Sequence, residues 1–268
     1  MSSWTPPPII FKDDSEKTET LRRHLTTLGW LNAASDKNPA WQLHLVDGHL
    51  TMLRPDGVSL SLDFTLGKAR HRQKEAGHGA QTLSKALGIS SFQKRNGHLP
   101  SIADATGGLG QDGWAIASLG CPVFAIERNP IVHALLDDAL KRARLNEISS
   151  EIASRITLVR EDAVSWLRNI RNADQAHIIY LDPMYPARKH KADSKKGMQF
   201  LQALLGPPVK EESESLLGAA LDYQARRVVV KRPKGAEEMD GSTRWPGQRT
   251  CVQSSNTRYD IYHQSLKF

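Results

Sequence analysis

A glycine-rich turn near the middle of the chain is the first stretch whose residue types and spacing could do chemistry. Residues 102–112 read IADATGGLGQD, so a short apolar run ends at Asp104 and is followed by Gly107, Gly108 and Gly110. Such a loop between a strand and a helix leaves backbone N–H groups free and lets a nucleotide approach closely. The spacing lacks the Gly-Lys-Ser/Thr that grips a β-phosphate and the G-x-G-x-x-G that fits a dinucleotide pyrophosphate. By itself, the loop could equally serve only tight packing of the chain.

An acidic residue at the end of the next apolar run restricts the class of ligand that the loop could bind. The run PVFAI ends at Glu127, about twenty residues beyond the loop, where an acid in a Rossmann-like fold accepts hydrogen bonds from ribose hydroxyls. The loop and Glu127 together predict a ligand that has a ribose and no pyrophosphate.

A third motif, YLDPMYP at residues 180–186, follows a later apolar run. In isolation it would be a strand-terminating turn. An exocyclic base amine is a poor nucleophile, so an enzyme must hold it in line and accept its N–H hydrogen bonds. Asp182 and the Pro183 carbonyl could be these acceptors, and Tyr185 offers an aromatic face for an unstacked base. Adenine N6, cytosine N4 and guanine N2 would suit the motif equally.

The three motifs need a parallel sheet to bring them to one edge. From residue 99, apolar runs alternate with helix-length amphipathic stretches, which predicts a mostly parallel sheet covered on both faces. The predicted strands lie near 100–104, 122–126, 155–160, 176–181 and 226–231. A helix with Asn129 as N-cap and Pro130 at its first position follows the second strand. The stretch 258–264 is predicted to add an antiparallel edge strand.

The first part of the chain has a different pattern. Residues 41–64 alternate apolar and polar around Asp-Gly pairs, which predicts a small antiparallel meander. Residues 67–79 are polar and basic, and a helix is predicted over 81–87. We therefore predict a small N-terminal α+β domain over residues 1–75 and a Rossmann-like domain over 76–268.

Charge and composition bear on partners and location. Lys and Arg total 36 against 29 Asp and Glu, and a net charge of +7 favours a polyanionic partner, although such an excess could serve only to keep a protein dissolved. Candidate RNA phosphate contacts are Arg70, Arg72 and Lys74, with Lys189, Lys191, Lys195 and Lys196 after the third motif.

No secretion signal or membrane-length apolar stretch is visible, so a cytoplasmic protein is expected. Cys121 and Cys251 stand beside strand-like sequence, where buried thiols are expected. No metal site is expected, because the histidines and cysteines lack the spacing of metal ligands.

The motifs DATGGLGQD, AIERNP, LDPMYP and VVVKRP together resemble the J-type family of small-subunit ribosomal RNA methyltransferases. The resemblance runs from the GKARHR segment at residues 67–72 to the RYDIY strand at 258–262. It implies a Rossmann-like class I methyltransferase fold with a mostly parallel twisted sheet and a small N-terminal α+β element. It also implies direct transfer of the methyl group of S-adenosyl-L-methionine to guanine N2 of 16S ribosomal RNA, or of the small ribosomal subunit, with S-adenosyl-L-homocysteine as product and no metal.

The resemblance assigns a cofactor-binding set at the ends of the predicted strands. Its members are Asp104, Gly107, Gly108, Gly110, Gln111, Asp112, Glu127, Arg128, Asp162, Ala163 and Asp182. Gln111 and Asp112 would lie near the methionine end of the cofactor, and Glu127 with Arg128 would flank its ribose and adenine.

The rest of the set concerns the adenine ring and the transfer itself. Asp162 and Ala163 would lie beside adenine, and Asp182 would face the site of methyl transfer together with Pro183 and Tyr185. The sequence departs from the family pattern at two places: Gln111 stands where an arginine is expected, and residues 161–163 replace a small hydroxyl-rich stretch. The LDPMYP turn also has Met184 where many amino-methyltransferases carry a second proline.

Other functions explain fewer of these features. An N-methyltransferase acting on adenine N6 or another nucleic-acid amine fits the same motifs. A nicotinamide-dependent oxidoreductase would explain only the loop and Glu127. A non-catalytic ribosome-assembly factor would explain only the charge. The methylated nucleoside distinguishes an N-methyltransferase acting on another amine from one acting on guanine N2. Failure to bind S-adenosyl-L-methionine would favour the non-catalytic assembly factor.

Overall fold

Two sheets organise the chain. The computed structural model describes residues 8–27, 40–65, 77–169, 175–184, 196–237, 239 and 245–264. In chain order the elements are β1 (Ile9–Phe11), α1 (Glu16–Thr27), β2 (Trp41–Val46), β3 (His49–Leu53), β4 (Ser59–Ser61), α2 (Gly77–Leu87), α3 (Ile89–Asn96), β5 (Ile102–Asp104), α4 (Gln111–Ser118), β6 (Val123–Ile126), α5 (Pro130–Leu145), α6 (Ser150–Ser154), β7 (Ile156–Val159), α7 (Ala163–Arg168), β8 (Ile178–Leu181), α8 (Lys196–Leu205), α9 (Lys210–Asp222), β9 (Arg227–Pro233), β10 (Arg249–Gln253) and β11 (Thr257–His263).

The chain divides into two compact units. The first comprises residues 1–63, 130–141 and 184–208, and the second comprises 64–129, 142–183 and 209–268. The predicted boundary near residue 75 stays a prediction, because residues 66–76 lie outside the described part of the chain.

The first unit contains a four-stranded sheet in the order β1-β2-β3-β4. Strands β2, β3 and β4 pair antiparallel, which confirms the predicted meander, whereas β1 pairs parallel to β2 and was not predicted. The hairpin between β2 and β3 turns on Asp47 and Gly48, whose φ angles are 50° and 78°. Two positive φ values suit the tight turn that matches the twist of the flanking strands. Leu43 and Met52 are fully buried and anchor this sheet.

The second unit contains a seven-stranded sheet in the order β10-β11-β9-β8-β5-β6-β7. Five adjacent strands, in the order β9-β8-β5-β6-β7, are parallel, as predicted. Strand β11 is antiparallel to β9, as expected, but it is not the edge, because β10 pairs with its outer side. Helix α5 begins at Pro130 as predicted, and α2 begins at Gly77, four residues before the predicted start.

Small and β-branched residues pack one face of the larger sheet. Val228 and Val230 of β9 share a buried cluster with Leu217 and Ala220 of α9. Trp166 of α7 is also buried there, in a stacked arrangement with Tyr223 whose ring centroids are 5.9 Å apart. This packing holds in place the parallel strands whose carboxyl ends carry the candidate site. No helix in the described part of the chain is long and apolar enough to span a membrane.

The sheet has a topological switch point between β5 and β8. The chain leaves β5 toward β6 on one side, and β8 lies on the other side. In open α/β sheets, ligands bind in the crevice that forms beyond the carboxyl ends of the strands at such a point. Asp104 ends β5 and Asp182 directly follows β8, so two of the predicted site residues flank this crevice.

Candidate active site

The end of β5 is tied to the end of β8 through one hydroxyl group. Asp104 is buried, and its Oδ1 accepts hydrogen bonds from the backbone N–H of Thr106 at 3.1 Å and from Thr106 Oγ1 at 3.2 Å. The same Thr106 Oγ1 accepts a hydrogen bond from the backbone N–H of Asp182 at 2.7 Å. Burial, with the nearby charge of Asp112, raises the pKa of Asp104 to about 7. Thr106 therefore fixes the distance between the two strand ends, a role not predicted from the sequence.

The glycine loop is packed against the next strand. The N–H of Gly107 donates to the carbonyl oxygen of Ile126 at 2.9 Å, and a Cβ at Gly107 would lie 2.9 Å from that oxygen. Gly108 and Gly110 have φ angles of 49° and 73°, in the left-handed region that glycine adopts without strain. Gly107 therefore packs closely against the backbone of Ile126. The N–H of Gly108 donates to the Glu127 side chain.

Glu127 lies just beyond β6 with one hydrogen bond on each carboxylate oxygen. Oε2 accepts from the N–H of Gly108 at 2.9 Å and Oε1 accepts from the N–H of Asn129 at 2.7 Å. Burial raises the pKa of Glu127, and the two N–H groups partly oppose that shift. A carboxylate offers about four acceptor positions, so about two remain after these bonds. The two free acceptor positions fit two hydrogen bonds donated by ribose hydroxyls, and the ribose is the part of the cofactor that Glu127 was predicted to hold.

Arg128, Asp162 and Ala163 lie at the neighbouring strand ends. The Arg128 guanidinium pairs with Glu212 and lies 3.7 Å from an Asp162 carboxylate oxygen. Asp162 caps α7, because its Oδ1 accepts the N–H of Ser165 at 3.0 Å, and Ala163 is the first residue of that helix. The Asp162 side chain is therefore engaged in a helix cap, and its predicted place beside adenine stays a prediction.

A lysine forms ion pairs with Asp112, predicted to lie near the methionine end of the cofactor, and with Asp182, predicted to face the site of methyl transfer. Lys231 Nζ, from β9, donates to Asp112 Oδ2 at 2.7 Å and to Asp182 Oδ2 at 2.8 Å. The hydroxyl of Tyr180 also donates to Asp112 Oδ2, at 2.8 Å. The side chains of Lys231, Asp112 and Asp182 are each about a quarter exposed, at 27%, 25% and 29%, so a bound molecule could reach them.

The charges in this cluster differ in their titration. Burial and the charge of Asp112 raise the pKa of Asp182 to about 7, although Lys231 opposes the shift. Burial also acts to raise the pKa of Asp112, but Lys231 and the Tyr180 hydroxyl outweigh it, so that pKa is lowered. Burial acts to lower the pKa of Lys231, and the two carboxylates outweigh it and raise that pKa. Near neutral pH the cluster therefore holds one firm cation, one firm anion and one carboxyl group poised to exchange a proton.

Lys231 and Tyr180 were not predicted as site residues. Strand β9 pairs with β8 so that Val230 stands opposite Leu181, which brings the following residues, Lys231 and Asp182, to the same level. The available signal was a lysine directly after three consecutive valines, at a place where a buried parallel strand should stay apolar.

The remaining predicted residues are only partly placed. Gln111 begins α4 and is exposed, and Pro183 is buried directly after Asp182. Several predicted residues lie outside the described part of the chain: Tyr185, Arg70, Arg72, Lys74, Lys189, Lys191 and Lys195. Lys196 begins α8, but its side chain is not described. Among the described residues, no group of three or more His, Cys, Asp or Glu side chains could hold a metal ion.

Known proteins match most of the chain. A family model for SAM-dependent methyltransferases matches residues 28–264. A protein of Hydrogenovibrio crunogenus named ribosomal RNA small subunit methyltransferase J is 40% identical, over 95% of this chain and 86% of its own length. A protein of the same name from Laribacter hongkongensis is 37% identical, over 91% and 82%. The crystal structure of a SAM-dependent methyltransferase from Neisseria gonorrhoeae is 28% identical, covers 97% of each chain, and has a TM-score of 0.70.

Proposed function

Because the chain belongs to the ribosomal RNA small subunit methyltransferase J family of SAM-dependent methyltransferases, we propose that it methylates N2 of one guanosine in 16S ribosomal RNA. The chain has the Rossmann-like class I methyltransferase fold expected of that family. The observation that carries the proposal is the Lys231 bridge between Asp112 and Asp182 at the switch point of the sheet.

The residues present fit S-adenosyl-L-methionine, the cofactor of the family. Glu127 would hold the ribose hydroxyls with its remaining acceptor positions, and the loop that contains Gly108 and Gly110 would face the rest of the nucleoside. Asp112 would lie toward the methionine end. When bound, the cofactor supplies a methyl group on a sulfonium, which is reactive enough that we propose neither a metal nor a covalent enzyme intermediate. S-adenosyl-L-homocysteine would be the product.

Asp182 is the residue we propose to hold the base. Its carboxylate would accept an N–H hydrogen bond from the exocyclic amine, with the Pro183 carbonyl as a second acceptor. Lys231 and the Thr106 hydroxyl orient Asp182 by the contacts described above. Holding two reactants in line contributes up to roughly 7 to 11 kcal/mol in well-oriented reactions. Positioning by these side chains is thus the main contribution of the protein.

Proton transfer gives Asp182 a second role. An amine nitrogen that gains a methyl group must lose a proton, and a carboxylate within hydrogen-bond reach can take it. A general base works best when its pKa lies near the operating pH. The pKa of Asp182, about 7, meets that condition.

The substrate and surroundings follow from the family. The proposed partner is 16S ribosomal RNA or the small ribosomal subunit, which would place the enzyme in the cytoplasm. Proteins read RNA sequence chiefly at unpaired bases, so the target guanosine would be exposed in a loop or in an assembly intermediate when it is reached. Arg70, Arg72 and Lys74 remain proposed phosphate contacts, as does Tyr185 for stacking on the base.

The product identifies the reaction. Unmodified 16S ribosomal RNA is incubated with the protein and methyl-labelled S-adenosyl-L-methionine, then digested to nucleosides for mass spectrometry. We expect labelled N2-methylguanosine with the wild type and, in the same incubation time, at least about 10²-fold less with Asp182→Asn. Glu151→Gln, which alters an exposed carboxylate paired with Arg155 away from the site, serves as a control that retains the product.

Two other products would change the assignment. Labelled N6-methyladenosine would keep the reaction class and exclude guanine N2. RNA binding without methyl transfer, in a protein that also fails to bind the cofactor, would favour a non-catalytic assembly factor.

A further inference from the structure

A cavity of about 390 Å³ lies in the second unit. It is at the amino ends of the parallel strands β8 and β9, whereas the candidate active site is at their carboxyl ends. Three of its lining residues stand side by side in register: Ile178 begins β8, Arg227 begins β9, and His263 ends β11. Arg227 precedes Lys231 by four residues on β9, and strands rise about 3.3 Å per residue. The cavity is therefore about 13 Å from the Lys231 cluster along the strand.

Three arginines, Arg95, Arg226 and Arg227, are among the residues that line this cavity, and no Asp or Glu is. None of the three forms an ion pair with a carboxylate within the described ranges. Burial and the charge of Arg95 lower the pKa of Arg227. Burial and the charge of Arg227 likewise lower the pKa of His263. Burial is the larger cause of both shifts, and repulsion between like charges adds to it; a bound anion would relieve that repulsion.

The cationic side chains are held in place by specific contacts. Arg227 Nη1 donates to the carbonyl oxygen of Ala86 at 2.7 Å, at the last turn of α2. Gly88 has a φ of 68°, in the left-handed region that favours glycine, and a Cβ there would also displace the Arg227 guanidinium. The Arg226 guanidinium lies over the Phe92 ring, 5.2 Å from its centroid.

The contacts leave hydrogen-bonding capacity unused. A guanidinium has five N–H donors in a planar fork, and the bond to Ala86 uses one of those on Arg227. Forked donors match the oxygen atoms of phosphate groups, often in pairs. Leu87, Phe92 and Ile178 are almost fully buried and form an apolar base beneath the arginines.

We propose that this cavity binds a backbone phosphate of the RNA substrate. The inference rests on the proposed function, which supplies a polyanionic substrate long enough to reach both edges of the sheet. Several nucleotides separate the target base from a phosphate in this cavity. The site anchors the RNA and takes no part in the chemistry.

The test measures RNA binding by the full chain as a function of salt. The double variant Arg95→Gln/Arg226→Gln removes two of the cations and retains the bond between Arg227 and Ala86. The control Arg23→Gln/Lys141→Gln removes the same charge from two exposed pairs, those with Glu19 and Asp137. Fluorescence anisotropy with a labelled 16S transcript gives Kd at several salt concentrations, and thermal melting confirms that each variant is folded.

We expect the cavity variant to bind the transcript at least about fivefold more weakly than the control at low salt. For every single-strand phosphate that the variant no longer neutralises, the slope of log K against log salt should fall by about 0.7. Cofactor affinity should not change. Equal slopes and affinities for the cavity variant and the control would overturn the inference, whether or not the wild type methylates RNA.

Inorganic phosphate forms a second arm that separates a free anion from an RNA phosphate. Wild type and cavity variant are melted with and without phosphate. Stabilisation of the wild type alone, together with unchanged RNA binding by the cavity variant, would assign the cavity to a free anion and overturn the RNA proposal. Failure of the proposed function appears separately, as absence of methylated guanosine in the wild-type product assay.

Discussion

Lys231 Nζ lies 2.8 Å from Asp182 Oδ2, so the residue proposed to hold the base is fixed by a cation from the neighbouring strand. The same nitrogen bonds Asp112 of α4, the helix that follows the glycine loop. The cofactor side and the substrate side of the site thus share one charge. A change at Lys231 should therefore affect the two sides together.

Replacement of Lys231 should move the pH dependence of catalysis. Asp182 must be ionised to accept the amine hydrogen bond, so wild-type kcat should rise as pH increases through about 7. Lys231→Met removes the group that opposes the upward shift of that pKa, so the rise should occur at higher pH. Lys231→Arg keeps the positive charge and should move the profile less. A Lys231→Met profile that coincides with the wild type would show that the lysine does not control Asp182.

Asp182→Asn should reduce turnover far more than cofactor affinity. The carboxylate accepts hydrogen bonds and a proton as charge develops on the amine, and loss of one such group costs about 10²-fold or more in kcat. Calorimetric titration with S-adenosyl-L-methionine should give a Kd close to wild type. Comparable losses in kcat and in cofactor affinity would instead place Asp182 in cofactor binding.

Glu127→Gln should weaken cofactor binding. The carboxylate would accept ribose hydroxyls and also receives the N–H groups of Gly108 and Asn129, and an amide group presents its own donors to them. Loss of a hydrogen bond to a charged group costs about 1.5 to 3 kcal/mol, which is roughly 10- to 150-fold in Kd. Isothermal titration calorimetry measures the change. Glu151→Gln, at an exposed carboxylate paired with Arg155, is the matched control, and equal affinities of the two variants would refute the ribose assignment.

Two glycine substitutions should change stability in opposite directions. An alanine Cβ at Gly107 meets the Ile126 carbonyl oxygen at 2.9 Å, and overpacking of this kind lowers the free energy of unfolding by about 1 to 3 kcal/mol. Gly218, inside α9, has no atom within 4 Å of an added Cβ, so Gly218→Ala should raise it by about 0.5 to 1 kcal/mol. Urea denaturation of both variants tests the pair. Gly107→Ala as stable as wild type would mean that the loop can shift without loss.

The parallel core was predictable because its signals are local. Five apolar runs, each close to the length of a strand, predicted β5 to β9, and the glycine loop with its strand-end acid predicted the nucleoside side of the site. Strand β10 was missed because four of its five residues are exposed, so it has no apolar run. Strand β1 has only three residues, too few for a reliable pattern.

The Lys231 bridge could not be predicted from local pattern. It depends on β9 lying beside β8 in one register, and that register is set by packing between segments nearly fifty residues apart, as Leu181 and Val230 show. The Thr106 hydroxyl bond to Asp182 is similarly nonlocal. Sequence therefore identified the two carboxylates but not the groups that orient them.

The two cysteines differ in a way that the sequence did not indicate. Both stand beside strand-like sequence, where a buried thiol is common, but only Cys121 is buried, and Cys251 is exposed on the outer strand β10. Burial raises the pKa of Cys121 to about 11, which leaves almost no reactive thiolate near neutral pH. A maleimide dye should therefore attach selectively at Cys251 in the native protein, so the unmodified sequence already carries a single attachment point for fluorescence spectroscopy.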